Sequence, residues 1–343
     1  MKKLLRNYKA GISLLLVSAM VLISGCTSTA ASTSTPAATA TINTANLPLI
    51  GITQIADHPA LDTCREGVIA ALEAAGYKDG VNVRIEYKSA QGEVNNAITI
   101  AQDFVAKKAV VIIAIATPSA QAALTETKKA GIPLVFCAVS DPVAAGLAKD
   151  LTTGVTGVTG TSDKLPIKDQ LQLITKLTPS VKKIGILHNT AEANSDSQLA
   201  EAKALAPQFG FEIVDKGVTN SSEVATAVDS LLPNVDCIYN LTDNLIVTSL
   251  PLVLSKANAA NKPVYGSEDS QVTNGSLASV GINYLELGKV TGNMVVQILK
   301  GEKAESIKII TQEGKTVTIN ETTATKLKVT IPADIKASAT MVK

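Results

Sequence analysis

The sequence predicts an α/β protein made of two doubly wound parallel-sheet lobes joined by a hinge. Seven apolar residues at 110–116 run without alternation, which is typical of a strand buried on both faces of a parallel sheet. The Thr-Pro-Ser segment at 117–119 then suits a helix N-terminus. Strands and helices alternate in this way in two series, and an Ile-Gly-Ile motif recurs in the first strand of each, at Gly51 and Gly185. A length of 343 residues agrees with two domains of ordinary size.

The first series alternates strands with helices without interruption. The predicted strands are 47–52, 82–87, 110–116 and 133–139, and the predicted helices are 60–76, 93–107 and 120–130. Apolar residues recur at helical spacing in the helices, and Gly131 is typical of a helix stop. Alternation of this kind favours right-handed crossovers and hence a parallel sheet.

The second series repeats the plan of the first. Its predicted strands are 182–187, 211–215, 235–240 and 262–265, and its polar turns at 242–244 and 267–269 correspond to those at 117–119 and 140–142. The helix predicted at 285–300 is expected to return to the first lobe, and 315–320 alternates like an edge strand. We therefore expect a first lobe of residues 47–162 and 283–303, and a second lobe of residues 163–282 and 304–343.

The N-terminal region predicts export and lipidation. Four basic residues precede a short apolar run at 12–23, which is too short for a membrane span, and Ile-Ser-Gly then leads into Cys26. This pattern resembles a bacterial lipobox, so residues 1–25 are interpreted as a lipoprotein signal peptide and Cys26 as a diacylated membrane anchor. An ordinary signal peptide with an incidental cysteine is the alternative. Residues 26–46 are rich in Ser, Thr and Ala and predict a tether.

Composition limits the classes of function. A formal net charge of +1 offers no basic stripe for nucleic acid. No cofactor motif, Walker loop, nucleophile elbow or metal-ligand spacing occurs, so no enzyme activity, cofactor or metal is expected. A hydrolase site built around His188 stays open as an alternative, because such sites are recognised by geometry rather than by order. The other cysteines, Cys64, Cys137 and Cys237, are interpreted as buried free thiols, with a disulfide pair as the alternative.

Polar side chains gather where the predicted strands end, at the edge where open α/β sheets bind ligands. Each of them has a simpler interpretation as a helix cap or turn former. The predicted ligand-binding residues are Thr53, Gln54, His58, Thr117, Ser119, Ser140, Asp141, Asn189, Asn194, Thr242, Asp243, Asn244 and Asp269. Of the aromatic residues, Phe136 is assigned to the core, whereas Tyr239 and Tyr284 are placed closer to the mouth of the cleft.

Several of these segments together resemble a known family. They are residues 58–62, 65–67, 116–121, 135–142, 189–195, 242–244 and 281–288. Over about residues 48–335 the sequence is similar to the ABC-transporter substrate-binding lipoproteins of the type I periplasmic-binding fold. It is most similar to the branch whose members bind aromatic amino acids. The resemblance implies a small-molecule ligand, an ABC permease and ATPase as partners, and an extracytoplasmic location on the bacterial membrane or in the periplasm.

The identity of the ligand stays open at this point. The chain has no Trp and only 3% aromatic residues, so smaller amino acids or another solute remain alternatives to an aromatic amino acid. For an amino acid, we assign the carboxylate to Thr117, Ser119 and Ser140 at helix N-termini, and the ammonium to either Asp243 or Asp269. A sensory ligand-binding lipoprotein is the alternative to a receptor for an importer.

Overall fold

The computed structural model describes residues 46–314 and 316–343. The predicted signal peptide, the lipidation at Cys26 and all but the last residue of the predicted tether lie outside the described residues. Within the described part of the chain, every helix is too short or too polar to cross a bilayer.

The first lobe contains a six-stranded parallel sheet in the order β2-β1-β3-β4-β5-β11. Its strands are β1 (Leu49–Gln54), β2 (Arg84–Ser89), β3 (Val111–Ile115), β4 (Leu134–Cys137), β5 (Val158–Ser162) and β11 (Ile310–Thr311). Its helices are α1 (Pro59–Ala74), α2 (Val94–Ala106), α3 (Thr117–Ala130) and α10 (Tyr284–Leu299). The central strands β1, β3 and β4 are buried at every residue, as the unbroken apolar sequences of β3 and β4 predict.

The second lobe is built on strands in the order β7-β6-β8-β9, followed by β10-β12-β13. The strands are β6 (Lys183–Asn189), β7 (Glu212–Val218), β8 (Cys237–Tyr239), β9 (Val264–Tyr265), β10 (Ala278–Gly281), β12 (Thr316–Asn320) and β13 (Thr340–Val342). The helices are α4 (Ile167–Leu177), α5 (Ala193–Leu205), α6 (Ser221–Leu231), α7 (Asn244–Thr248), α8 (Leu250–Ala259), α9 (Asp269–Thr273), α11 (Glu321–Lys326) and α12 (Ala333–Ser338). Backbone bonds from Gly266 N to Ala278 O (3.0 Å) and from Leu277 N to Val264 O (2.7 Å) join β9 to β10.

The two lobes follow one strand order. In each lobe the first strand of the series lies between the second and the third, and the fourth and fifth follow, as in other doubly wound sheets. The repeated sequence pattern therefore corresponds to a repeated topology. The carboxyl ends of the two sets of parallel strands carry the polar turns at 117–119 and 242–244.

Three chain crossings form the hinge. They follow β5, precede α10 and separate β11 from β12. Gly314, between β11 and β12, lies so close to the crossing before α10 that a Cβ atom there would approach the Gly281 carbonyl to 2.7 Å. A side chain at Gly314 would therefore push two of the crossings apart. As predicted, α10 returns to the first lobe, where Leu287 and Val295 belong to its apolar core.

Two sequence expectations differ from the structure. Residues 304–311 do not belong to the second lobe, because Ala304, Ile307 and Ile309 pack in the first apolar core and β11 pairs with β5. The expected edge strand, β12, is a central strand, since it pairs with both β10 and β13. The C-terminal β13 supplies the second partner, and its three residues are too few for a strand pattern to show in the sequence.

Candidate ligand-binding site

A small cavity of about 20 Å³ lies between the carboxyl ends of the two sheets. The residues that line it are His58, Ala60, Leu61, Ala116, Thr117, Ala138, Ser140, Asp163, Asn194, Thr242, Asn244, Val247, Glu268, Gln271 and Tyr284. Both lobes and two of the hinge crossings contribute, so closure of the lobes completes the cavity.

Side chains of the two lobes are hydrogen-bonded across the cleft. Ser197 Oγ on α5 donates to Asp141 Oδ2 of the first lobe at 2.9 Å. Gln198 Nε2, from the same helix, donates to Ser140 Oγ at 3.0 Å. These direct contacts show that the lobes are closed on each other.

The hinge side of the cavity carries two buried carboxyl groups. Asp163 follows β5 directly and accepts hydrogen bonds from Ser140 Oγ (3.0 Å) and Tyr284 OH (2.9 Å). Glu268 is the N-cap of α9 and accepts from Ser270 N (2.6 Å) and Gln271 N (3.0 Å). Burial raises the pKa of Asp163 above its ordinary value and raises the pKa of Glu268 to about 7.

No positive side chain balances these carboxyl groups within the cavity. Among the described residues that line it, none is Lys or Arg, and burial lowers the pKa of His58, which favours the neutral imidazole. A buried carboxylate that lacks a cationic partner is costly. The hinge side of the cavity is therefore suited to a positively charged ligand group.

The first-lobe wall differs, because it presents the start of helix α3. Ala116 takes the N-cap position with φ = 74° and supplies no capping side chain, so the first N–H groups of this helix have no capping acceptor. Thr117 Oγ1, at the first helical position, is buried without a hydrogen-bond partner among the described residues. Ala138, at the end of β4, is also left-handed with φ = 56°. Left-handed alanines are strained and cluster at binding sites.

A chain of hydrogen bonds crosses the cleft at the outer side of the cavity. His58 Nε2 lies 3.3 Å from Asn244 Oδ1, and Asn244 Nδ2 donates to Glu192 Oε2 at 2.6 Å. Burial, together with the neighbouring Asp243 carboxylate, raises the pKa of Glu192. Asn244 also lines a neighbouring cavity, which has residues of both lobes in its wall.

Apolar side chains flank this outer part. Leu61 lies one helical turn after His58 on α1, and Val247 lies one turn after Asn244 on α7. The ring of Tyr284 lines the cavity from the hinge side. The site thus combines an acidic side, a helix N-terminus and an apolar compartment.

Six of the predicted site residues line this cavity. They are His58, Thr117, Ser140, Asn194, Thr242 and Asn244. Tyr284 also lines the cavity, but from the hinge side, where its OH donates to Asp163, rather than near the mouth as predicted. Tyr239 does not, because it is fully buried in the second apolar core.

The other predicted residues serve the protein scaffold or solvent-facing turns. Thr53 is buried within β1, and Ser119 is buried in α3 without lining the cavity. Gln54 is bound to Asp62, Arg65 and the Ala56 carbonyl. Asp141 accepts from Ala144 N, in addition to its bond with Ser197.

Neither predicted partner of an ammonium group lines the cavity. Asp243 is completely buried, and its carboxylate accepts from Asn189 N, Ser195 Oγ and Ile246 N, so it holds the second lobe together. Asn189 itself caps the following turn through Ala191 N. Asp269 is exposed on the far side of the turn that directs Glu268 into the cavity.

The carboxyl groups that line the cavity, Asp163 and Glu268, are not the two to which the sequence analysis assigned a ligand ammonium group. Asp163 is missed because β5, a short Val-Thr-Gly-Thr-Ser strand, has no apolar run. Glu268 stands in the turn that matches 140–142, so this correspondence was the signal available for it. Cys64, Cys137 and Cys237 are buried free thiols, as predicted. Within the described residues no group of His, Cys, Asp and Glu side chains is arranged to hold a metal ion.

Comparison with known proteins agrees with this geometry. The family model described as ABC transporter substrate binding protein matches residues 49–343. A tyrosine-binding protein of Clostridioides difficile is 43% identical over 274 residues, which is 80% of this chain and 79% of that protein.

Solved structures support the closed arrangement. An ABC domain of Streptococcus pneumoniae in complex with L-Trp superposes with a TM-score of 0.84 at 36% identity, over 87% of this chain and all of that chain. The ligand-free, open structure of a substrate-binding protein with adhesive properties from Clostridium difficile reaches only 0.65 at 41% identity, over 87% and 99% of the chains. The C. difficile structure is more identical in sequence than the S. pneumoniae one but superposes less well. This is the expected result when the lobes of the present protein are closed and the lobes of the C. difficile structure are open.

The fold is therefore the type I periplasmic-binding fold, with two α/β lobes and a cavity between them. The family match covers most of the chain, and the relatives are solute-binding proteins. The chain belongs to the ABC transporter substrate-binding proteins, which bind solutes outside the cytoplasm and are not enzymes.

Proposed function

We propose that this protein captures an aromatic amino acid between its lobes and delivers it to an ABC permease from a lipid anchor on the outer face of the membrane. The observation that carries this proposal is the division of one cavity into three chemical environments. The buried carboxyls of Asp163 and Glu268 lie on the hinge side, the open N-terminus of α3 lies on the first lobe, and an apolar compartment lies between Leu61 and Val247.

This division suits a zwitterion with an apolar side chain. Asp163 accepts from two neutral hydroxyls, those of Ser140 and Tyr284, so its carboxylate is the main acceptor for the ammonium group, and Glu268 is the second. The ligand carboxylate then lies at the start of α3, where Thr117 Oγ1 and the first N–H groups are donors. Each ligand charge is thereby paired when the lobes close.

The apolar residues of the cavity and the relatives favour an aromatic side chain. One relative is described as tyrosine-binding, and one solved neighbour contains L-Trp. The apolar residues Ala60, Leu61, Val247 and Tyr284 provide a surface on which a ring can pack. The low aromatic content of the chain is compatible with this, since aliphatic side chains bury a ring as well as aromatic ones do.

A thermal-shift screen of the purified soluble domain against the common amino acids tests this proposal. A ligand that binds only the native state raises the apparent melting temperature. We expect tyrosine, tryptophan or phenylalanine to give the largest increase. A larger increase with a small amino acid such as alanine or serine would contradict the aromatic assignment.

The anchor is tested separately in the full-length chain. Two acyl chains on Cys26 would supply the energy that holds the protein at the membrane. Replacing Cys26 by Ser should move the protein from the membrane fraction to the soluble fraction without changing its ligand affinity. A Cys26→Ser variant that stays in the membrane fraction would contradict lipidation at this residue.

Delivery to the permease requires a transport measurement. Proteoliposomes that contain the permease and ATPase of the same cell should take up labelled amino acid only when this protein and ATP are both present. A variant with a blocked cavity, Ala138→Phe, serves as the control because Ala138 lines the cavity. Uptake that does not depend on the binding protein would favour a sensory role instead.

A further inference from the structure

We infer that the ring of the ligand carries a hydrogen-bond donor, a phenol O–H or an indole N–H, and that His58 is the residue that selects for it. This inference rests on the proposed function and narrows it, because it separates tyrosine and tryptophan from phenylalanine. It depends on which atoms at the outer side of the cavity are fixed as acceptors.

The orientation of two asparagine amides is fixed by Glu192. Its carboxylate is surrounded by N–H groups: Asn244 N and Nδ2, Asn194 Nδ2, Asn189 Nδ2 and Leu245 N lie 2.6–3.3 Å from its oxygens. A carboxylate in this setting accepts from all of them. The amide nitrogens of Asn194 and Asn244 therefore face Glu192, and their oxygens face away from it.

This orientation determines the tautomer of His58. Asn244 Oδ1 can only accept, so the His58 Nε2 atom 3.3 Å away must carry the proton. In a neutral imidazole the other nitrogen is then an acceptor. His58 Nδ1 is buried and has no hydrogen-bond partner among the described residues.

Asn194 provides a second acceptor of the same kind. Its amide nitrogen donates to Glu192 Oε2 at 3.1 Å and to the Thr242 carbonyl at 2.9 Å, which leaves Oδ1 buried without a partner in the described structure. His58 and Asn194 both line the cavity. The outer side of the site thus presents two acceptors that need a donor.

Of these two acceptors, His58 lies beside the apolar residues on which the ligand side chain packs. Leu61 follows His58 by one helical turn on α1, and Val247 follows Asn244 by one turn on α7. Asp163, in contrast, lies on a hinge crossing. A ring held between Leu61 and Val247 brings its polar atom to His58 or Asn194, whereas a phenylalanine ring leaves both acceptors unpaired.

Titration calorimetry with L-tyrosine, L-tryptophan, L-phenylalanine and O-methyl-L-tyrosine tests the inference. We expect tyrosine or tryptophan to bind at least about tenfold more tightly than phenylalanine, because a buried acceptor without a donor is penalised. O-methyl-L-tyrosine keeps the ring and removes the donor, so it should bind no better than phenylalanine. If tryptophan is the tighter ligand, 1-methyl-L-tryptophan replaces it as the matched analogue.

Variants distinguish a role of His58 in selecting the ligand ring from a role in lobe closure. His58→Leu removes the acceptor and should reduce the ratio of the tyrosine and phenylalanine affinities to within about threefold. Glu192→Gln frees the asparagine amides to rotate and should reduce the same ratio while His58 is still present. The control is His188→Gln, since His188 lies on β6 outside the cavity, and the ratio should stay as in the parent protein.

The outcomes distinguish this inference from the proposed function. If phenylalanine and O-methyl-L-tyrosine bind as tightly as tyrosine and tryptophan, the aromatic assignment stands and selection by His58 is overturned. If His58→Leu weakens tyrosine and phenylalanine equally, His58 serves closure alone and the inference is likewise overturned. If no aromatic amino acid binds, the proposed function fails and this inference fails with it.

Discussion

Helices α3 and α7 occupy corresponding places in the two lobes, yet they begin in opposite ways. Helix α3 starts after a left-handed alanine, Ala116, that offers no capping side chain. Helix α7 starts at Asp243, whose carboxylate accepts from Ile246 N at 3.0 Å. Both turns carry a threonine beside the cavity, Thr117 and Thr242.

This difference shows how a duplicated fold makes an asymmetric site. In the second lobe the protein satisfies its own helix N-terminus, and Thr242 Oγ1 also accepts from Gln198 Nε2 at 2.7 Å. In the first lobe the helix donors and Thr117 Oγ1 are left for a ligand. Under the proposed function, an anionic ligand group therefore binds to the first lobe, and the cationic group binds to Asp163 and Glu268.

The largest expected effect concerns the hinge carboxylate. Asp163→Asn should weaken binding of the amino-acid ligand by about 2–5 kcal/mol, because a buried ammonium loses its charged partner. Stability without ligand should be kept or raised, since asparagine removes a buried charge. Calorimetry and thermal unfolding measure the two quantities. Asp269→Asn is the matched control on an exposed carboxylate and should change neither.

Substitution of Asp243, the cap of α7 in the second lobe, should lower stability and leave affinity nearly unchanged, which is the opposite of the effect expected for Asp163→Asn. Asp243→Ala removes the acceptor for two backbone N–H groups and for Ser195, so we expect a loss of about 1–3 kcal/mol in the free energy of unfolding. Urea denaturation monitors this change. The intrinsic affinity of the folded fraction should change little. A loss of affinity as large as that of Asp163→Asn would mean that Asp243 meets the ligand after all.

The pH dependence of affinity tests the acidic side. Burial raises the folded-state pKa of Glu268 from 4.5 to about 7, and an ammonium beside it favours the ionised form. Affinity should therefore rise with pH up to about 7, by at most about tenfold per pH unit for this one group. Calorimetry in buffers of different ionisation enthalpy should detect proton release on binding.

Stability without ligand should respond to pH in the reverse sense. Because the folded-state pKa of Glu268 is raised, its contribution is fully present below 4.5 and is lost as pH rises through about 7. Asp163 acts in the same direction, since burial also raises its pKa.

Glu268→Gln should flatten the profile of ligand affinity against pH. An equally steep profile in that variant would place the titrating group elsewhere.

The smallest effect is expected at the open helix. Thr117→Val keeps the shape of the side chain and removes one donor, so affinity should fall by about 1 kcal/mol with little change in stability. Thr99→Val is the control, because Thr99 is exposed on α2 and bonds only its own helix. Equal affinities of the parent and Thr117→Val would remove this hydroxyl from the carboxylate site.

The sequence predicted the fold well because burial leaves a direct trace in composition. Strands β3 and β4 are unbroken apolar runs, and the turns that follow them have counterparts in the second half of the chain. The short strands were harder to predict. Strand β5 is buried but consists of Val, Thr, Gly and Ser, so it has no apolar run. The sequence therefore does not indicate that Asp163 directly follows a buried strand.

The candidate site was predictable only in its location. Thr117 and Thr242 end corresponding strands and both line the cavity, as expected from the strand-end rule. Whether an aspartate caps its own helix or faces a ligand depends on a single backbone turn. Asp243 caps a helix of its own lobe, whereas Glu268, rather than Asp269, lines the cavity. No pattern in the sequence distinguishes these cases.

The most direct test of the account compares a ligand with two analogues that each lack one charge. L-tyrosine, tyramine without the carboxylate, and 3-(4-hydroxyphenyl)propionate without the ammonium should be titrated into the parent protein under identical conditions. Since each charge has its own buried partners, we predict that both analogues bind at least about a hundredfold more weakly than tyrosine. If either analogue binds as tightly as tyrosine, the charge that it lacks is not recognised between the lobes, and the division of the cavity into an acidic hinge side and an open helix N-terminus is wrong.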